Sequence, residues 1–138
     1  DYNRTALILA VLEKRAYIPF YTQDVYVTVM GGIKLTEPAS DLAVALALAS
    51  SYKNEPISGE VCAFGEIGLT GEVRAVTQAD KRVDNAIKLG FKKIIIPYKN
   101  YHSVEKFANK AEIIPVKHVY QAIKLLFDGK AEKPPKAD

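Results

Sequence analysis

The sequence predicts an α/β fold, because segments with helical and strand patterns alternate along the chain. Two observations carry this prediction. The stretch KKIIIP (Lys92–Pro97) is a short apolar strand of the kind that is buried on both faces of a sheet, and proline ends it. The stretch LAVALALAS (42–50) is apolar on nearly every face, which is typical of a helix packed closely through its alanines.

Length and composition indicate one globular domain. The chain has 138 residues, of which 49% are hydrophobic and 25% charged, and its net charge of +3 permits an acidic partner such as nucleic acid without requiring one. Cys62 is the only cysteine, which excludes a disulfide framework or a cysteine-type zinc site within the chain and favours a reducing, cytoplasmic setting. No apolar run could span a bilayer, and no signal peptide is present. Because the sequence begins with Asp1 rather than Met, we expect a fragment of a longer chain.

The first part of the chain predicts helix, strand and helix. The stretch Arg4–Arg15 is apolar in its middle and ends in basic residues, which suit the negative end of a helix dipole. Asp24–Met30 alternates valine with larger residues and indicates a strand, which the glycines at 31 and 32 end. A second helix is predicted over about Pro38–Lys53, with Thr36 as its N-cap and proline in its first turn.

The rest of the chain alternates in the same way. Val61–Val76 predicts a strand, a glycine-rich turn and a second strand. A third helix over about Gln78–Leu89 has an apolar stripe formed by Ala79, Val83, Ala86 and Ile87. After the strand Lys92–Pro97 we expect a short helix over Ser103–Asn109, a strand over Glu112–Val116, a last helix over His118–Phe127 and a charged, disordered tail over 128–138.

Common phosphate-binding and histidine-based sites are not indicated. Neither G-x-x-x-x-G-K-[ST] nor G-x-G-x-x-G occurs, and GEIGLTG (65–71) is interpreted as a hairpin turn, so this chain is not expected to bind ATP by itself. His102 and His118 fall where surface or helix-cap residues suffice. A serine–histidine–aspartate triad stays open by spacing alone, because triads are assembled in space, but neither histidine has a sequence context that recommends it.

A serine–lysine dyad is the remaining hydrolytic possibility. In such a dyad a lysine with a depressed pKa takes the proton of a serine hydroxyl, so no histidine is needed. Ser40 stands at the start of the second predicted helix, where free backbone N–H groups would favour an oxyanion.

Four stretches resemble the proteolytic domain of the Lon protease family: KLTEPASDLAVALALASS, FGEIGLTGEVRAV, KLGFKKIIIPYKN and IIPVKHVYQAIKLL. The resemblance covers most of the chain from about Asp24 to Phe127. It implies an α/β (α+β) fold with a mixed sheet packed with helices over residues 1–127. Within that family, the chain is more similar to the Lon-like domains of bacterial DNA repair ATPases than to the proteolytic domains of Lon proteases.

The resemblance also implies that the catalytic dyad is absent. The family's nucleophile pattern G-P-S-A-G falls on Glu37–Asp41, so Ala39 stands at the serine position. The pattern G-G-x-K-x-K falls on Thr77–Arg82, so Arg82 stands at the position of the catalytic lysine. Alanine has no hydroxyl, and arginine is too basic to act as a neutral base.

Neighbouring residues are poor substitutes for the missing dyad. Ser40 and Lys81 each lie one residue from a dyad position, which turns their side chains about 100° around a helix. We expect Ser40 to help cap its helix, and Asp41 to bring unfavourable negative charge near a developing oxyanion. The domain is therefore not expected to be an enzyme.

Instead, the resemblance implies that this chain is one domain of a longer, ATP-driven protein. The similar proteins are hexameric, DNA-dependent ATPase motors of recombination and branch migration, whose ATP, Mg and Zn belong to segments upstream of this domain. No cofactor is expected in this chain. The implied partners are single-stranded or branched DNA and other copies of the protein. The resemblance implies that the domain acts as an assembly platform and a DNA-contacting surface. A residual serine–lysine peptidase and a purely structural ring-forming module remain the alternatives.

Basic residues recur in segments that would flank the former active-site groove or lie on the first helix. Phosphate contacts need such groups and carry no sequence information, and no aromatic platform motif accompanies them, so base-specific recognition is not predicted. Arg82 could instead pair with Asp80, Asp84 or Glu66 and serve the fold. The candidate DNA contacts are Arg4, Lys34, Arg74, Lys81 and Arg82.

The start of the sequence raises a further expectation. Lon-like domains have strands before their first helix, whereas this chain starts at that helix. We therefore expect the chain to associate with itself or to leave a sheet edge open.

Overall fold

The computed structural model describes residues 2–18 and 37–127. Several sequence-based predictions lie outside these residues: the strand Asp24–Met30, the glycines after it, the N-cap Thr36, the candidate DNA contact Lys34 and the tail over 128–138.

Five helices and five short strands make up the described residues, and they confirm the predicted α/β class. The helices are α1 (Tyr2–Arg15), α2 (Asp41–Lys53), α3 (Ala79–Lys88), α4 (Tyr101–Val104) and α5 (Val119–Phe127), and a 3-10 turn, Pro38–Ser40, leads into α2. The strands are β1 (Val61–Ala63), β2 (Glu66–Ile67), β3 (Val73–Arg74), β4 (Lys93–Pro97) and β5 (Glu112–Val116).

The strands form two sheets. In the first sheet β1, β4 and β5 are parallel in the order β1-β4-β5, and in the second β2 and β3 form an antiparallel hairpin. The prediction of a single strand–turn–strand unit over Val61–Val76 is therefore wrong in its first half. Residues 61–63 pair with β4, because the chain bends at Gly65, and only residues 66–74 form the hairpin.

Strand β4 is the centre of the domain. Ile94, Ile95 and Ile96 are fully buried, as the apolar run predicted. Because side chains alternate along a strand, Ile95 packs into one cluster with α1, α2 and α5, whereas Ile94 and Ile96 pack into another with α3. The parallel sheet is thus covered by helices on both faces.

The helices bury the faces that the sequence predicted. In α2 the side chains of Leu42, Ala45, Leu46 and Ala49 are buried, and the helix packs against α1 and α5. In α3 the stripe of Ala79, Val83 and Ala86 is buried and Ile87 is half-buried, which confirms the helical spacing.

The outer edge of β5 offers few groups for pairing with another strand. The N–H of Glu112 donates to the carbonyl of Lys92 (N···O 2.8 Å), so the backbone of Glu112 faces β4. Because the direction of the backbone N–H and C=O groups alternates along a strand, those of Ile113 and Pro115 face away from β4. Proline has no N–H to donate. The next outward residue, Lys117, donates its N–H to the side chain of Gln121 (2.7 Å), and its carbonyl accepts from Val73 of the hairpin (2.9 Å).

A buried ion pair joins α1 to the start of α2. The side chain of Asp41 is almost completely buried and pairs with Arg4, and its Oδ2 also accepts the N–H of Ile67 in β2 (3.1 Å). The Asp41 carboxylate is thus paired with a cation, and its effect on a developing oxyanion stays a prediction.

We expect the Arg4–Asp41 pair to matter far more than an exposed pair. Arg4→Met should lower the free energy of unfolding by about 2–3 kcal/mol, because it leaves the Asp41 carboxylate buried without a cation. Lys88→Met is the matched control: it breaks the exposed pair between Lys88 and Asp84 and should cost at most about 0.5 kcal/mol. Urea unfolding of both variants measures the difference, and equal losses would contradict the structural role of Arg4.

Candidate functional site

Ala39, which the resemblance aligns with the nucleophile, is hydrogen-bonded to the segment that follows β1. It lies buried in the 3-10 turn before α2, and its carbonyl accepts the N–H of Gly65 (2.8 Å). The carbonyl of Gly65 in turn accepts the N–H of Leu42 (3.0 Å). Gly65 has φ +153°, and a Cβ there would lie 2.8 Å from Cγ1 of Val73, so this close approach requires glycine.

Arg82, at the lysine position, reaches the same turn. Its guanidinium forms an ion pair with Glu37, and its Nε donates to the carbonyl of Thr77 (2.9 Å). The hydrogen bond from Arg82 and its positive charge lower the pKa of Glu37. The fold therefore brings Arg82 to the turn that contains Ala39, and these are the two positions that the family resemblance aligns with the dyad. The partner of Arg82 is Glu37 rather than Asp80, Asp84 or Glu66, because the side chain extends across to the turn before α2.

Ser40 does not cap α2, so that prediction is wrong. Its Oγ donates to the carbonyl of Glu37 (2.8 Å), and its side chain makes no cap hydrogen bond to the helix. The reason is the 3-10 turn: Ser40 has helical dihedrals (φ −81°, ψ −8°), whereas a capping residue normally has an extended backbone. Lys81, the other neighbour of a dyad position, lies on the exposed side of α3.

Asn100 holds the segment that leads into α3, a role that sequence reasoning missed. Its Nδ2 donates to the carbonyl of Val76 (3.1 Å), and its Oδ1 accepts the N–H of Val76 (2.9 Å). The side-chain amide thus pairs with the backbone as a neighbouring strand would. Because Thr77 follows directly, this clamp also positions the carbonyl that receives Arg82.

The stretch GEIGLTG is confirmed as a hairpin turn. Hydrogen bonds within the turn stabilise it. Gly68 and Glu72 close it through a backbone hydrogen bond (2.9 Å). The Glu72 carboxylate accepts from the N–H and hydroxyl of Thr70 (3.1 and 2.7 Å) and from Arg74 (3.1 Å). These hydrogen bonds lower the pKa of Glu72 to about 2, and the bond from the Thr70 hydroxyl contributes most.

His118 connects this turn to α5. Its Nε2 lies 2.9 Å from the carbonyl of Thr70, and its Nδ1 accepts the N–H of Tyr120 (3.0 Å) in the first turn of α5. The cap position predicted for His118 is confirmed, and His102 is a surface residue, also as predicted. An acceptor at Nδ1 and a donor at Nε2 require the neutral ring. Burial lowers the pKa of His118, which favours that state.

The candidate DNA contacts do not form one cluster. Arg82 and Lys81 lie on α3 beside the turn that contains Ala39. Arg74 is exposed on β3 and pairs with Glu72. Arg4 is turned to the buried carboxylate of Asp41. Contact of these residues with DNA stays a prediction.

The carboxyl ends of the parallel strands bring further residues together. Tyr98 directly follows β4, and Lys117 directly follows β5. The Nζ of Lys117 lies 4.3 Å from the centre of the Tyr98 ring. Sequence reasoning missed this pair because the residues are distant in the chain. The available signal was that each follows a buried strand, and parallel strands end at a common edge.

Residues 2–18 and 37–127 contain neither a candidate metal site nor a candidate membrane span. Within these residues no three histidine, cysteine, aspartate or glutamate side chains are grouped so that they could hold a metal ion. None of the helices in this part of the chain is long and apolar enough to cross a membrane. The predictions about cofactors stay predictions.

Residues 9–129 match the family described as the Lon protease (S16) C-terminal proteolytic domain. The chain is 46% identical over 127 residues to a DNA repair protein RadA of Streptococcus pneumoniae, which covers 92% of this chain and 30% of that protein. It is 45% identical over 129 residues to that of Bacillus subtilis (94% and 28%) and 50% identical over 127 residues to that of Aquifex aeolicus (92% and 28%). The chain thus spans less than a third of the length of these curated relatives.

We expect His118 to make stability depend on pH. In the unfolded chain the His118 imidazole takes up a proton near pH 6.5. In the folded chain its pKa is lower, so it takes up the proton only at a lower pH. The contribution of His118 should therefore be complete above about pH 6.5 and be lost as the pH falls through the folded pKa. The charged groups that act on His118 are Glu72, which raises its pKa, and Arg15, which lowers it.

His118→Asn is the matched variant, because an asparagine oxygen can still accept the N–H of Tyr120 but does not titrate. Urea unfolding across this pH range should show a shallower pH dependence for the variant than for the wild type. Parallel profiles would contradict the assignment to His118.

Proposed function

The chain belongs to the family of Lon protease C-terminal proteolytic domains, and we propose that it is a non-proteolytic member serving a RadA-type DNA repair and recombination ATPase. In this proposal it is an oligomerisation scaffold, in a homo-hexamer, and a DNA-contacting surface in the cytoplasm. ATP, Mg and Zn are assigned to other segments of the longer protein. The observation that carries the proposal is the Arg82–Glu37 ion pair next to Ala39.

This ion pair argues against proteolysis. A serine–lysine dyad needs a hydroxyl and a lysine that can be neutral. Here the first position is a buried alanine, and the second holds a guanidinium that stays charged and is paired. Ser40 is no substitute, because its hydroxyl donates to the carbonyl of Glu37 and Lys81 points to the exposed side of α3. A residual peptidase is therefore the less favoured alternative.

The same residues support phosphate contact. Exposed ion pairs contribute little stability, so a phosphate can replace Glu37 at Arg82 or Glu72 at Arg74 at small cost. Arginine is well suited to this exchange, because its planar fork fits phosphate oxygens. Lys81 adds an exposed cation on α3. Arg4 is the least suitable of the described candidates, because binding a phosphate would separate it from Asp41 and leave that buried carboxylate without a cation.

Assembly would turn weak contacts into useful affinity. A single domain with a few phosphate contacts binds weakly, whereas a ring repeats the surface and multiplies them. A purely structural ring-forming module is the second candidate function. It is favoured by the fact that Arg74 and Arg82 each already have an acidic partner within the fold.

We expect the wild-type chain to cleave no protein substrate. Incubation with casein should leave it intact, because Ala39 and Arg82 cannot form the dyad. The double variant Ala39→Ser with Arg82→Lys tests how much of the surrounding site remains; we expect no gain, because Glu37 and Asp41 replace two glycines of the family pattern. Casein hydrolysis by the wild type that disappears on Ser40→Ala would overturn the proposal.

We expect Arg74→Ala and Arg82→Ala in the full-length protein to weaken DNA binding without lowering the melting temperature appreciably. Each lost phosphate contact should reduce the slope of log affinity against log salt by roughly 0.7–0.9. Lys110→Ala is the matched control, because this exposed lysine precedes β5 and lies at the opposite end of the sheet. Unchanged affinity with a lowered melting temperature would make the two arginines structural and favour the ring-forming module.

A further inference from the structure

Three residues lie near the carboxyl ends of the parallel strands, and we call them the carboxyl-edge patch: Arg74, Tyr98 and Lys117. The Nζ of Lys117 lies 4.3 Å from the centre of the Tyr98 ring. The carbonyl of Lys117 accepts the N–H of Val73 (2.9 Å), so the backbone of Arg74, the next residue, lies close to Lys117, while its guanidinium pairs with Glu72. From this arrangement we propose that the patch binds single-stranded nucleic acid, with one base stacked on Tyr98 and phosphates held by Arg74 and Lys117.

The backbone that carries the Tyr98 ring is held in place by neighbouring contacts. Tyr98 begins a 3-10 turn whose last residue, Asn100, is hydrogen-bonded to Val76 through both atoms of its amide. On its other side Tyr98 follows Pro97, the buried end of β4. A backbone that is already ordered loses little conformational freedom on binding, which favours affinity.

The exposure and charge of the patch fit a nucleic-acid strand. Tyr98 is 51% exposed although it touches Lys117, so ring surface remains open to a base. Arg74 and Lys117, with the exposed Lys99 next to Tyr98, outnumber the acids Glu66 and Glu72 on the hairpin. Aromatic rings interleaved with cations are the usual surface for single strands, because bases stack and phosphates pair.

This arrangement predicts a preference for single strands over duplex without sequence specificity. In a duplex the faces of the bases are stacked within the helix, so only Arg74 and Lys117 would find partners. Every base has a face that can stack, so no base is selected. The inference rests on the proposed DNA contact and adds the strand type and the residue that recognises it.

The test uses the full-length protein and three probes of equal length: oligothymidylate, an abasic strand and a duplex. Tyr98→Ala should lower affinity for oligothymidylate about tenfold and leave affinity for the abasic strand and the duplex within about twofold. Tyr98→Phe is the matched control and should retain affinity, since it keeps the ring. Lys117→Ala and Arg74→Ala should weaken binding to all three probes and show a shallower salt dependence.

The outcomes separate this inference from the proposed function. If Tyr98→Ala binds oligothymidylate as the wild type does, or loses affinity for the abasic strand equally, stacking on Tyr98 is overturned while the DNA contact stands. If Arg74→Ala, Arg82→Ala and Lys117→Ala all bind every probe as the wild type does, the proposed DNA contact fails and the inference fails with it. Melting temperatures of the variants identify any loss that comes from unfolding.

Discussion

The buried carboxylate of Asp41 is the interaction on which the arrangement of the site depends. It joins three elements at once: α2, where it is the first residue, α1 through Arg4, and the hairpin through the N–H of Ile67. A carboxylate in this position is tolerable only while its partners are present, because an unpaired buried charge is costly. Removing Arg4 would therefore weaken the packing of the hairpin, α1 and the turn that carries Ala39 at the same time.

The backbone around Gly65 completes that arrangement. Gly65 bonds to Ala39 through its N–H and to Leu42 through its carbonyl, so the end of β1 lies directly against the start of α2. Any side chain at Gly65 would collide with Val73. The nucleophile position thus retains a tightly fitted backbone although its own side chain is only a methyl group.

Local patterns in the sequence were sufficient for most of the elements. The bounds of β5 and the apolar stripe of α3 follow from periodicity within one element, and the structure agrees with both. What failed depended on distant partners or on the fine geometry of a turn. Residues 61–63 pair with β4 rather than with the hairpin, Arg82 finds Glu37 instead of a nearby acid, and the 3-10 turn removes Ser40 from a capping conformation. The dyad positions followed from the family resemblance, whereas the Tyr98–Lys117 contact exists only once β4 and β5 lie side by side.

The outer edge of β5 has a consequence for solubility. Amyloid-like growth requires a strand that offers a continuous row of donors and acceptors to the next chain. Pro115 interrupts that row, and Gln121 and the hairpin occupy the groups of Lys117 beyond it. Wherever many copies of a chain come together, such edges reach a high local concentration. Along this edge, contacts between copies would depend mainly on side chains, which can encode a specific and closed arrangement, whereas open-ended stacking of backbones cannot.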